Sequence, residues 1–142
     1  MRKKITINNT NGKDIFSYEC NNNTIIKTLT KAIRQGVNLC DCDFSTYDLS
    51  GMDFSHANLE GCKFNYCIMH DVKFNNCNML YCQIESSRLY NCDFSQTNLQ
   101  NSTFSTSNIQ KCKFNNAKLK EVNFNKAIIQ ATNPMPSCFC FN

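Results

Sequence analysis

The sequence predicts an all-β solenoid: a chain wound into a four-sided parallel β-helix behind a small N-terminal cap. Three observations carry that reading. From Leu39 to Ile129 every fifth residue is Leu, Ile, Phe or Met, nineteen times without a break. Neither the 3.6-residue period of a helix nor the two-residue period of a strand can hold a strict five over such a length. Phenylalanines also recur at twenty, as Phe44, Phe64, Phe104 and Phe124 in one series and Phe54, Phe74, Phe94 and Phe114 in another. A chain that turns a corner every five residues and closes a coil every twenty satisfies both periods.

The cap comes first, over residues 1–36. Ile5 and Ile7 alternate with polar residues, Asn11-Gly12 supplies a hairpin turn, and Phe16, Tyr18 and Cys20 alternate again. A helix is expected from about Thr24 to Gln35, capped by Asn22 or Asn23 and closed by Gly36 at C′. Its apolar face is Ile25, Ile26, Leu29, Ala32 and Ile33. A β-helix exposes unpaired strand edges at both ends, so the hairpin and helix are expected over the first coil.

The solenoid follows over residues 37–131, about 4–5 coils of twenty. With the large apolar residue as the centre, the position two before it is small or apolar: Val37, Cys42, Met52, Ala57, Cys62, Cys67 and Val72. The other three positions are mostly Asp, Asn, Ser, Gln and Lys. Two residues in five point inward and three outward. Stacked coils place the phenylalanines in internal ladders, roughly 4.8 Å apart. The aromatic stripe is therefore core rather than a cofactor box.

The tail, residues 132–142, breaks the rhythm, because Pro134 stands where the next centre is due. The segment Pro134-Met135-Pro136-Ser137-Cys138-Phe139-Cys140-Phe141 either folds back as a plug or joins two copies across a two-fold axis. Phe139 and Phe141 are the candidate end-cap or dimer contacts.

Units such as Ala57-Asn58-Leu59-Glu60-Gly61, Cys92-Asp93-Phe94-Ser95-Gln96, Thr97-Asn98-Leu99-Gln100-Asn101 and Ala117-Lys118-Leu119-Lys120-Glu121 resemble the A(D/N)LXX unit of pentapeptide repeat proteins. The resemblance implies a right-handed quadrilateral β-helix. Heavy use of Cys before the centre, Tyr47 at that position, and Ile68 and Ile128 one before the centre depart from the unit without disturbing the fold. Relatives that act on type II topoisomerases imply two further options, C-terminal dimerisation and mimicry of a DNA duplex. The short basic leader is similar to leaders on phage-encoded members, which points to a phage-borne or effector-like modulator of a host enzyme.

Charge and composition narrow the function. No stretch approaches the roughly 20 apolar residues of a membrane span, and no signal-peptide core follows Met1-Arg2-Lys3-Lys4. The net charge is +4, but it is uneven. Residues 36–85 hold two bases against seven acids and residues 86–131 hold six against two. Duplex mimicry needs a strongly anionic rod, so it remains the alternative. The Lys111, Lys113, Lys118, Lys120 and Lys126 cluster lacks aromatic interleaving, which argues against nucleic acid.

Of the eleven cysteines, seven occupy the small inward position, where Ser87, Thr97, Ser102 and Ser107 stand elsewhere. They read as reduced core thiols of a cytoplasmic protein. The C-x-C pairs Cys40/Cys42 and Cys138/Cys140 lie near opposite ends, so no shared metal site is expected. His56 and His70 point outward without a nucleophile beside them, and Asp43, Asp48 and Asp53 follow the repeat consensus. No cofactor and no catalysis are expected from a filled interior. What stands out is a set of outward apolar residues, Tyr66, Ile68, Leu80, Tyr81 and Tyr90, in an otherwise polar surface. They are the candidate contacts for a protein partner of a rigid scaffold.

Overall fold

A computed structural model describes residues 1–133. Strands β1 (Arg2–Asn9) and β2 (Asp14–Asn21) form an antiparallel hairpin, followed by helix α1 (Ile25–Arg34). The Asn9 side chain organises the turn by accepting from the amides of Asn11 and Lys13 at 3.0 and 2.9 Å. Gly12 takes the left-handed conformation there, with φ +79°.

The helix is capped one residue later than the Asn22/Asn23 expectation. Thr24 Oγ1 accepts from the Lys27 amide at 3.2 Å. Asn23 is instead buried between hairpin and helix, where it donates to the Tyr18 carbonyl at 2.7 Å and accepts from Thr28 Oγ1 at 3.2 Å. The other end is a Schellman closure, with the amides of Gly36 and Val37 donating to the Ile33 and Ala32 carbonyls.

The cap is joined to the coil by hydrogen bonds. β1 pairs antiparallel with β3 (Cys42–Asp43), and the Thr10 amide donates to the Asp41 carbonyl at 2.8 Å. The first strand edge of the solenoid is thereby covered. Beyond it every bridge is parallel and links residues twenty apart, as in Asp53↔Lys73↔Asp93↔Lys113. Among the described residues only one side widens into a regular sheet, with strands β4 (Ile68–His70), β5 (Arg88–Tyr90), β6 (Asn108–Gln110) and β7 (Ile128–Gln130) in sequence order.

Each five-residue unit turns through a left-handed residue, at positions such as Thr46, Tyr66, Tyr81, Asn91 and Lys126. Ahead of many corners an Asp or Asn one before the centre accepts from the amide two residues on, as Asp43 does from Ser45 at 2.9 Å and Asp93 from Ser95 at 2.9 Å. The Ser50 and Ser55 hydroxyls first, and their amides next, hold the carboxyls of Asp48 and Asp53 below their ordinary range by hydrogen bonding to the charged form. Those acids are turn braces. At Gly61 (φ +73°) the absence of a side chain is needed as well, since a Cβ would run into the Asp41 carboxylate.

A β-branched residue tolerates the left-handed region poorly, yet Thr46 sits there at φ +70°. Thr46→Asn is expected to stabilise the protein by about 1 kcal/mol. Thermal unfolding would read this as a rise of about 4 °C, and an unchanged or lower midpoint would contradict it.

Inside, the Phe54, Phe74, Phe94 and Phe114 rings stack nearly parallel, at centroid spacings of 5.3, 4.9 and 4.9 Å. The facing column holds Phe44, Phe64, Phe104 and Phe124, with Ile84 between its two pairs, and meets the first edge-on, as in Phe64–Phe74 at 86° and Phe94–Phe104 at 83°. The small inward residues do more than fill space. Most of the buried inward thiols and hydroxyls from Cys62 to Ser107 reach back twenty-three residues to a backbone carbonyl: Cys62 to Leu39 at 2.9 Å, Cys77 to Phe54 at 2.9 Å, Ser87 to Phe64 at 2.6 Å. These bonds satisfy carbonyls at the corners that the strand ladder leaves over.

Candidate partner-binding face

The β4–β7 side carries a four-stranded parallel sheet. Because its four strands are in register, the outward residue before each centre forms one row, Ile68, Arg88, Asn108 and Ile128, and the residue after each centre a second, His70, Tyr90, Gln110 and Gln130. Tyr66 stands at the corner leading into β4.

The rows contain a connected polar and aromatic group. His70 and Tyr90 rings lie 5.8 Å apart. Lys111, at the next corner, donates to the Tyr90 hydroxyl at 3.0 Å and rides 5.2 Å above its ring. That hydroxyl raises the Lys111 pKa by supporting the ammonium form. Among the described residues no hydrogen bond or ion pair holds the Arg88 guanidinium. Beside it Asn108 Oδ1 is buried without a donor. Together His70, Arg88, Tyr90, Asn108 and Gln110 line a groove of about 330 Å³, floored by Leu89.

Of the expected contact residues, Tyr66, Ile68 and Tyr90 belong to this side, with exposures of 67, 39 and 38%. Tyr81 is exposed but occupies a corner of a different column, stacked above Asp41 and Gly61 rather than above Tyr66. Leu80 is half-buried, like most residues one after a centre, Ser50, Glu60 and Gln100 among them. Phe139 and Phe141, with Cys138 and Cys140, lie outside the described residues. His56 and His70 are exposed. Among the described residues no group of His, Cys, Asp and Glu could hold a metal ion, and no helix is long and apolar enough to cross a membrane.

Arg88 and Asn108 were not singled out from the sequence, and His70 and Lys111 were weighed only apart from the tyrosines, although a signal existed. Writing the repeat in rows of twenty places Arg88 between Ile68 and Asn108, and His70 under Tyr90.

Two family models match the chain, one described as a pentapeptide repeat region over residues 67–133 and one as pentapeptide repeats over residues 48–79. Together they span residues 48–133. No curated protein matches. Among solved structures, the pentapeptide repeat protein Rfr23 from the cyanobacterium Cyanothece 51142 is similar at 14% identity and a TM-score of 0.62, over 63% of this chain and 62% of that one. A pentapeptide repeat protein of the Arabidopsis thaliana thylakoid lumen is similar at 27% identity and a TM-score of 0.61, with the same shares, 63% and 62%. QnrB1, a plasmid-mediated fluoroquinolone resistance protein, aligns at 18% identity and a TM-score of 0.43, over 63% of this chain and 49% of that one. The chain thus spans about 62% of the length of the first two. Their likeness carries the fold, a right-handed β-helix.

Proposed function

The chain belongs to the pentapeptide repeat family, and from that premise we propose that it is a non-enzymatic, rigid scaffold that binds a protein partner through its β4–β7 face. We read the rod as four-sided, with 4–5 coils, because a corner falls at every fifth residue and the bridges run at twenty. Coils whose centres are filled by stacked phenylalanines leave the outside to act. The observation that supports the choice of face is the exposure of Tyr66, Ile68, Tyr90 and Ile128 on one side of the rod, against Tyr81 at a corner elsewhere, on a surface rich in Asn, Ser, Gln and Lys. Large apolar side chains gathered on a rigid face match the anchors of protein interfaces.

Duplex mimicry fits less well, since the repeat region carries nine acids against eight bases and the chosen face is cationic toward its C-terminal half.

Capture from a lysate of the host, comparing wild type with Tyr66→Ala/Ile68→Ala, tests the reading. Both positions are exposed, so the fold should survive with an unchanged circular dichroism spectrum. The expected result is loss of a specific protein seen with wild type, by tenfold or more, as for hot-spot residues. Equal recovery of every bound protein by both forms would remove this face from consideration.

A further inference from the structure

We propose that the groove around Arg88 and Tyr90 receives a carboxylate-bearing, extended peptide segment of the partner. This rests on the β4–β7 face being the contact surface, and adds the chemistry of what it contacts.

Charge is the first argument. From Ser86 to Ala131 the outward residues of this side and its two corners include Arg88, Lys111 and Lys126 and no acid; the earlier coils of the side have Asp48 beneath Ile68 and Asp71 at the corner after His70, the latter taken up by the Asn91 side-chain amide at 2.6 Å. The two acids of that stretch, Asp93 and Glu121, lie elsewhere: Asp93 in the Lys73–Lys113 bridge series of another side, Glu121 at the corner above Asn101. Arg88 is exposed and unpaired, while its neighbour Lys111 is already fixed on the Tyr90 hydroxyl. A guanidinium free of internal partners binds a carboxylate in a two-pronged geometry that a lone ammonium cannot match.

The unpaired amide is the second argument. Asn108 Oδ1 has no donor in the free protein. A buried acceptor without a partner is costly; Oδ1 is closed to solvent in the free protein, so a ligand reaches it by turning the Asn108 side chain outward, and an N–H next to its carboxylate then supplies the bond that the rod lacks. A peptide offers both, an amide and an acidic side chain. A phosphate backbone offers acceptors alone, and it would also set Ile68 and Ile128, exposed at 39 and 57%, against charge. Those two isoleucines and the Tyr90 ring suit the apolar side chains that alternate along an extended segment. The groove chemistry therefore selects an acidic peptide over a nucleic acid.

The test uses the full chain labelled with nitrogen-15 and three probes: the peptide acetyl-Glu-Tyr-Glu-Ile-Glu-amide, its glutamine counterpart, and a twenty-residue oligothymidylate. The acidic peptide is expected to shift the Arg88 Nε–H and Asn108 side-chain amide signals, with the glutamine peptide and the oligonucleotide causing little change. Arg88→Gln should weaken the acidic peptide at least tenfold, and Asn108→Leu about fivefold. Dispersed signals from the other sides of the rod show that each variant is folded. Equal shifts from the acidic and neutral peptides, no shift from either, or a larger response to the oligonucleotide would overturn the proposal. A captured partner that is lost with Tyr66→Ala/Ile68→Ala but retained by Arg88→Gln would overturn it too, and leave the binding face standing.

Discussion

Between pH 9 and pH 11 the protein is expected to lose several kcal/mol of stability, far more than a rod with an ordinary aliphatic core. The cause is its buried thiols. Burial pushes Cys67 and Cys77 up to about 12 each, and Cys42 to about 11, from an ordinary value of 9.0. Cys62 and Cys82 are raised for the same reason. Below pH 9 each thiol is protonated whether the chain is folded or not, and the thiols add no pH dependence. Above pH 9 the unfolded chain releases these protons while the folded one holds them. The unfolded state then binds fewer protons, so stability falls as pH rises, by about 1.4 kcal/mol per thiol per pH unit. Five such thiols give about 7 kcal/mol at pH 10, comparable with the whole stability of a small domain. Guanidinium unfolding at pH 7.5, 9 and 10 under reducing conditions should show the midpoint falling steeply over the last step. Lysines and tyrosines titrate in the same window, so a variant is needed to assign the effect. The chain supplies its design: Ser87 stands above Cys67 and Thr97 above Cys77, each making the same bond to a carbonyl. Cys67→Ser/Cys77→Thr should keep those bonds and flatten the alkaline limb by about 3 kcal/mol at pH 10. Equal stability of wild type at pH 8 and 10 would contradict the argument.

The internal architecture was legible because it is a problem of volume and period. Only a coil can bring Phe54, Phe74, Phe94 and Phe114 into register, and all four are buried in contact with one another. The role of cysteine was half legible. Spacing showed it to be a small inward residue, whereas its bond to a corner carbonyl depends on where the backbone of the preceding coil passes. The helix cap was misplaced by one or two residues because Asn23 and Thr24 are both good caps, and packing against the Tyr18 carbonyl decided between them.

The outside was harder to read for a physical reason. An exposed side chain is constrained by no partner in its own coil, and its neighbours are twenty residues away. Tyr66, Ile68 and Tyr90 announced themselves by being apolar. Arg88 and Asn108 look like ordinary surface residues until β5 and β6 are laid side by side, and the unpaired state of Asn108 Oδ1 is a property of atoms rather than of sequence. Leu80, half-buried, and Tyr81, exposed, show that chain neighbours at a corner need not share exposure.

Phe94→Ala is expected to cost 3–5 kcal/mol, the largest effect of any single core substitution. Phe94 is fully buried, stacked 4.9 Å from Phe74 below and 4.9 Å from Phe114 above, and meets Phe104 edge-on at 5.6 Å. Truncation removes three ring contacts and opens a void that a rigid ladder cannot close, because each coil is tied to its neighbours by hydrogen bonds such as Phe74 N–H to Asp93 O and Phe94 N–H to Lys113 O, both 2.8 Å. Phe94→Leu should cost less. The facing column already accepts Ile84 between Phe64 and Phe104, so an aliphatic rung is compatible with the coil. In a solenoid, energy is passed between neighbouring units rather than shared by the whole. The loss should therefore fall unevenly, with the coils after residue 94 opening while the capped coils before it persist. Hydrogen exchange would resolve this as faster exchange of amides such as Asn98, Thr103, Asn108 and Lys113 with little change at Phe44, Phe54 and Lys63. A uniform rise in exchange along the rod would show that it unfolds as one unit, and a loss below 1 kcal/mol would mean that the aromatic ladder does not hold the coils together.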